Sequence, residues 1–161
     1  MAVHKLILDD VFDEALYTLI AIHCTVEDYR LAYLLNNHLG VRLKKKPADL
    51  DFNNGKSTFS IYDWEDNKQQ TIWSLVVNVC KKETDQPTNN SSLFSAESKI
   101  VQKSYLVPEY KQVNYFLKID NEVSAKKERH IINNILNISQ VSTAYLIDAN
   151  QLKSKNNLIF S

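Results

Sequence analysis

The sequence predicts an α+β fold: a mixed or antiparallel sheet with two βαβ units and two helices packed on one face, ferredoxin-like with additional strands. Three observations carry that expectation. The apolar runs YTLIAI (17–22) and NYFLKI (114–119) are each followed by a helix-period pattern and then by a further apolar run, VRL at 41–43 and STAYLI at 142–147. Between them KSTFSIYDW (56–64) and TIWSLVVNVC (71–80) flank the polar EDNKQQ, as in an antiparallel hairpin. Each helix would cross from one strand of a shared sheet to another.

HKLIL at 4–8 reads as a short strand stopped by Asp9 and Asp10. LYTLIAIHC, 16–24, is apolar on both faces and is the expected central strand. The Thr25-Val26-Glu27-Asp28 run has the spacing of a capping box, which starts a helix there. Its apolar stripe is Leu31, Leu34, Leu35, His38 and Leu39, and Gly40 stands where a helix stops. A strand should resume at about Val41. Pro47 ends it, leaving PADLDFNNG as a loop pinned by Leu50 and Phe52. From Lys81 to about Ser98 the composition turns polar, which predicts a mobile connector anchored only by Leu93 and Phe94. A strand around 99–106 opens the second half. Val113, Tyr115, Leu117 and Ile119 then mark one face of a half-buried strand, with Asn114, Lys118 and Asp120 on the other and Phe116 as an exception. Asn121 or Ser124 caps a second helix with stripe Ile131, Ile132, Ile135 and Leu136, and QVSTAYLID returns as a strand. The whole reads as one domain over 1–161: a half at 1–80, the connector at 81–98, a half at 99–148 and a tail at 149–161 that packs back.

Composition removes several function classes. Lys plus Arg and Asp plus Glu number 19 each, so no global field draws the chain to nucleic acid or an anionic membrane. Two glycines, Gly40 and Gly55, cannot build a glycine-rich phosphate loop or a dinucleotide fingerprint. No His, Cys or carboxylate spacing suits zinc, and neither a metal nor another cofactor is expected. Cys24 and Cys80 lie in apolar runs and read as reduced, buried thiols of a cytoplasmic protein. The opening MAVHKLILDDVF breaks too early for a signal peptide or a membrane span.

Val107-Pro108-Glu109, three free residues, then Val113-Asn114-Tyr115 resemble the signature of the bacterial IPExxxVDY family. The similarity extends to IAIHCTVEDYRLAYLLN, to Asp49 through Phe52 and to QVSTAYLID, and so spans most of the chain. The resemblance implies little about activity, because that family carries a motif name in place of a biochemical role. Val107 stands where the signature has isoleucine and Asn114 where it has aspartate. Asparagine keeps the reach of aspartate but exchanges no proton near neutral pH, which argues against an obligatory acid or base at 114. Pro108 lacks an amide donor and biases Val107 toward extended backbone, so the motif reads first as a corner, with Glu109 placed to accept from amides there.

The expected ligand site lies where the central strand hands over to the helix, at His23, Thr25 and Asp28, with Glu109 as a further candidate. A thiolate at Cys24 activated by His23 would make this a small enzyme, yet adjacent strand residues point to opposite faces. Arg42, Lys44, Lys45 and Lys46 form the densest basic run, either a guarded sheet edge or an RNA contact. The favoured function is a noncatalytic binding or adaptor domain for a protein or small ligand, with the enzyme and the RNA-associated protein as alternatives. A homodimer is compatible with an open sheet edge, and an unidentified protein partner is expected rather than nucleic acid or membrane.

Overall fold

A computed structural model describes residues 16–85 and 99–160. Its main element is a six-stranded sheet in the order β10-β1-β9-β6-β5-β2, formed by β1 (Tyr17–Cys24), β2 (Lys44–Lys45), β5 (Ile61–Asp66), β6 (Thr71–Val77), β9 (Tyr115–Asp120) and β10 (Val141–Ile147). Every neighbouring pair is antiparallel. Two ribbons accompany it: β3 (Leu50–Phe52) with β4 (Ser57–Phe59), and β7 (Val79–Asp85) with β8 (Lys99–Tyr105). Helix α1 (Asp28–Leu39) follows β1, and α2 (Ala125–Leu136) joins β9 to β10. The architecture is α+β, with mostly antiparallel sheets and two helices. Because β9 is antiparallel to both β1 and β6, β1 and β6 run the same way with β9 between them. By the same argument β9 and β10 run together with β1 between them.

Both helices cover one face of the sheet. Ile20, Ile22 and Cys24 of β1 share a core there with Leu31 and Leu35 of α1, Ile131 and Ile135 of α2, and Tyr115, Leu117 and Ile119 of β9. The opposite face is not open. Leu19, Ala21, Val76 and Phe116 are covered there by Phe59 of the β3–β4 ribbon, by Leu106, Val107 and Val113 of the corner, and by Leu152 and Leu158 of the tail. Each buried Leu or Ile contributes about 1.5–3 kcal/mol.

Burial on two sides corrects the expectation of a half-buried strand at 115–120. Lys118 itself is only 8% exposed. Its ammonium donates to the Leu158 carbonyl at 2.8 Å, lies 3.3 Å from Asp120, and sits over the rings of Tyr17 and Phe160. A buried cation is tolerated only with such partners, and here they fasten the tail. Val113 likewise packs on the tail side, opposite Tyr115.

Further expectations change. The strand expected from about Val41 begins only at Lys44: Val41 and Leu43 are buried, but the Leu43 backbone bonds the Asn36 amide through both its N–H (2.8 Å) and its C=O (3.1 Å), and pairing with β5 starts at Lys44. The capping box does not form. Glu27 is the N-cap without a side-chain bond, and the Asp28 carboxylate accepts from Tyr29 N instead. His38 is exposed and Ala32 takes its place in the stripe, while Leu136 of α2 is 44% exposed. Residues 81–85 belong to β7 rather than to a connector, and the loop at 47–55 contains β3. HKLIL, Leu93 and Phe94 lie outside the described residues.

Other expectations hold. Gly40 closes α1 in the left-handed region at φ 66°, and the Ser124 hydroxyl accepts from Lys127 N to cap α2. Leu50 and Phe52 pack on the second core, as do Leu152 and Leu158 of the tail. Cys24 and Cys80 are buried and free.

Candidate functional site

Between β6 and β7 the chain passes through Asn78, which is 0% exposed. Its Nδ2 donates to the carbonyls of Tyr110 and Val113, and its Oδ1 accepts from Val107 N, each at 2.9 Å. Its backbone bonds Asn114 O and Leu106 N, also at 2.9 Å. One buried amide therefore shapes the whole corner from Leu106 to Asn114. Pro108 opens the 3-10 turn Pro108–Tyr110 inside it, where its missing donor costs nothing.

Glu109 reaches from this turn to the tail, accepting from Lys153 N (2.9 Å), Ser154 N (3.2 Å) and Ser154 Oγ (3.2 Å). Desolvation pushes its carboxyl up, but the donors from Ser154, its own amide and Lys153 together outweigh that and hold it below the ordinary glutamate value. Asn114 Oδ1 accepts from Cys24 N at 2.9 Å, beside the register shift in β1 between His23 and Cys24. An oxygen acceptor is what that position supplies, and asparagine and aspartate both have one.

The stretch 107–115 thus frames the carboxyl end of β1, and a cleft of about 390 Å³ opens there. One wall is Cys24, Thr25 and Val26, leading into α1; the floor includes Asn114 and Tyr115, whose hydroxyl donates to Val26 O at 2.5 Å. Burial first, then the Asp28 charge, push the Tyr115 hydroxyl well above its ordinary pKa, so it stays a neutral donor. The other wall is one face of the β7–β8 ribbon. Val79 lies opposite Tyr105, and Lys81 lies directly opposite Lys103. Lys111 enters from beyond the 3-10 turn, its ammonium 5.7 Å from the centre of the Tyr105 ring.

Like charges directly across a strand pair destabilise it. Among the described residues no carboxylate lies within 4 Å of the Lys81, Lys103 or Lys111 ammonium groups. Glu83, next along the same ribbon face, is paired with Lys99 at 3.6 Å. The cleft is a concentrated positive site in a chain with no net charge.

Of the residues singled out from sequence, Thr25 lines this cleft. His23 turns to the opposite face and bonds Tyr145 Oη at 3.0 Å, while the Cys24 thiol is buried under the helices, so the two do not meet. Asp28 lies 3.7 Å from Lys45 and accepts from Tyr62. Burial, the Asp28 charge and that bond, with Asp49 behind, push Tyr62 up to about 12. Glu109 is engaged with the tail. Thr25, His23, Asp28 and Glu109 therefore do not form one site.

The basic run 42–46 lies at the β2 edge of the sheet. Lys45 is shared between Asp28 and Asp49, each at 3.7 Å, and Lys46 is 3.3 Å from Asp63. Lys44 is exposed, and Arg42 borders a separate cleft with Gly40 and Trp64. Sequence reasoning missed Lys81, Lys103, Lys111, Tyr105 and Asn78. The available signal was alternation: VCKKETD and KIVQKSY each place a lysine two residues from an apolar or aromatic residue.

No cluster of three or more metal-binding side chains occurs among the described residues, and none of their helices is long and apolar enough to cross a membrane. In comparison with known proteins, the chain matches no family model, no curated protein and no solved structure.

Proposed function

We propose that the chain is a noncatalytic cytoplasmic binding domain that captures a negatively charged ligand or partner in the cleft beyond the carboxyl end of β1. The observation that carries this reading is Lys81 facing Lys103 with Lys111 beside them. Such an arrangement costs the free protein stability through repulsion, and a bound anion reverses the sign of that cost. Buried free thiols at Cys24 and Cys80 support a reducing compartment.

The order β10-β1-β9-β6 with two helices on one face supports a ferredoxin-like unit of two split βαβ crossovers, extended by β5 and β2. Membership of the IPExxxVDY family is part of the same proposal, with its signature read as the frame of the cleft: Glu109 fastens the tail, and Asn114 fastens β1.

The test is native mass spectrometry of the chain purified at low ionic strength from its own cells, beside the K81Q/K103Q/K111Q variant. The reading expects a bound species on the wild type that the variant lacks. Equal occupancy of both, or a bare wild type, overturns it.

A further inference from the structure

We infer that the group seated in this cleft is the phosphate or pyrophosphate moiety of a small molecule, an inference that rests on the binding reading above. The charge count points there first. Three ammonium groups line the space, and a phosphate monoester brings about two negative charges at neutral pH where a simple carboxylate brings one.

Donor geometry points the same way. The cationic lining residues are all lysines, compact charges with three rotatable donors each, which suit an anion with oxygens in several directions. The fork of an arginine, which suits a planar carboxylate, is missing from the lining. Lys81 and Lys103 are directly opposed on one ribbon face, with Cβ atoms about 5 Å apart, so both exposed side chains are within reach of one anion. Lys111 completes the set from the corner, its ammonium placed over Tyr105. Thr25 adds a hydroxyl on the wall opposite.

About 390 Å³ is the size of a small-molecule site. A nucleic acid strand would need a continuous positive surface, whereas the basic run at 42–46 lies at the β2 edge with Lys45 and Lys46 paired to carboxylates, and Lys126, Lys127 and Arg129 lie on α2.

Isothermal titration of the full chain with inorganic pyrophosphate, citrate and an eight-nucleotide oligouridylate, at about 50 mM ionic strength, tests this. Pyrophosphate is expected to bind at one site. Each of K81Q, K103Q and K111Q should weaken it about tenfold and the triple variant should abolish it, while K126Q on α2 leaves it unchanged. Melting curves report that each variant is folded. Citrate or the oligonucleotide binding through these lysines more than tenfold tighter than pyrophosphate overturns the phosphate assignment but leaves the anion-binding reading standing. Absence of lysine-dependent binding by all three overturns both.

Discussion

Replacing Asn78 with alanine removes the amide on which the corner is built. Three side-chain bonds disappear, all of 2.9 Å and all inside the protein. The Tyr110 carbonyl keeps a bond from Val113 N, so it is not orphaned. The Val107 amide and the Val113 carbonyl, on residues 0% and 1% exposed, lose the partner that satisfies them. At roughly 1–3 kcal/mol for each buried group left unpaired, N78A should cost about 3–4 kcal/mol. With a urea m-value of about 2 kcal/mol/M, the unfolding midpoint falls by about 1.5–2 M. Exposed Asn67 at the β5–β6 turn gives the control, where alanine should change stability by less than about 0.5 kcal/mol. A loss below about 1 kcal/mol for N78A would refute the view that this residue shapes the corner.

Asn114→Asp should be tolerated to within about 1 kcal/mol because the acceptor for Cys24 N survives, whereas N114A should cost about 1–2 kcal/mol; urea titration compares the two. E109A should lower stability by about 1 kcal/mol, modest because the carboxylate is largely solvated. Since the folded pKa of Glu109 is lowered, its stabilisation is complete above the ordinary glutamate value of about 4.3 and is lost as pH falls through the folded value, so the gap between wild type and E109A should close only under acid. Lys118→Met should release the tail: about 2–3 kcal/mol is lost and proteolysis after Lys153 or Lys155 becomes faster, read by mass spectrometry. In ligand-free protein at low salt, K81Q should raise Tm by about 1–2 °C through relief of its repulsion with Lys103, and the gain should vanish in high salt.

How far the sequence was legible follows from the range of each interaction. Helix α1 shows its stripe and its Gly40 stop locally, and α2 shows its Ser124 cap, because spacing and capping act within a few residues. β1 is apolar on both faces, which a reader can see without a partner. Lys118 defeats that rule. Its charge marks the outer face of a strand, yet beside Asp120 of the same strand Tyr17, Phe160 and the Leu158 carbonyl gather around it from elsewhere in the chain. Val41–Leu43 has the residues of a strand and fails to become one because Asn36 takes its backbone first.

The candidate site was legible in place but not in membership. Thr25 marks the end of β1, where sequence reasoning put the ligand. Lys81 and Lys103 are 22 residues apart and meet only through the β7–β8 register, which no local pattern announces. In the sequence His23 and Asp28 flank the strand-to-helix junction and Glu109 lies in the stretch 107–115; pleat and turn send them to Tyr145, Lys45 and the tail.

If the lysines at the end of β1 hold an anion, a ¹H–¹⁵N chemical-shift map of the chain titrated with pyrophosphate should show saturable shifts concentrated at Cys24, Thr25, Val26, Lys81, Lys103 and Lys111. Shifts that scatter over the surface lysines, or that centre on Lys44 and its neighbours at the β2 edge, would contradict that role.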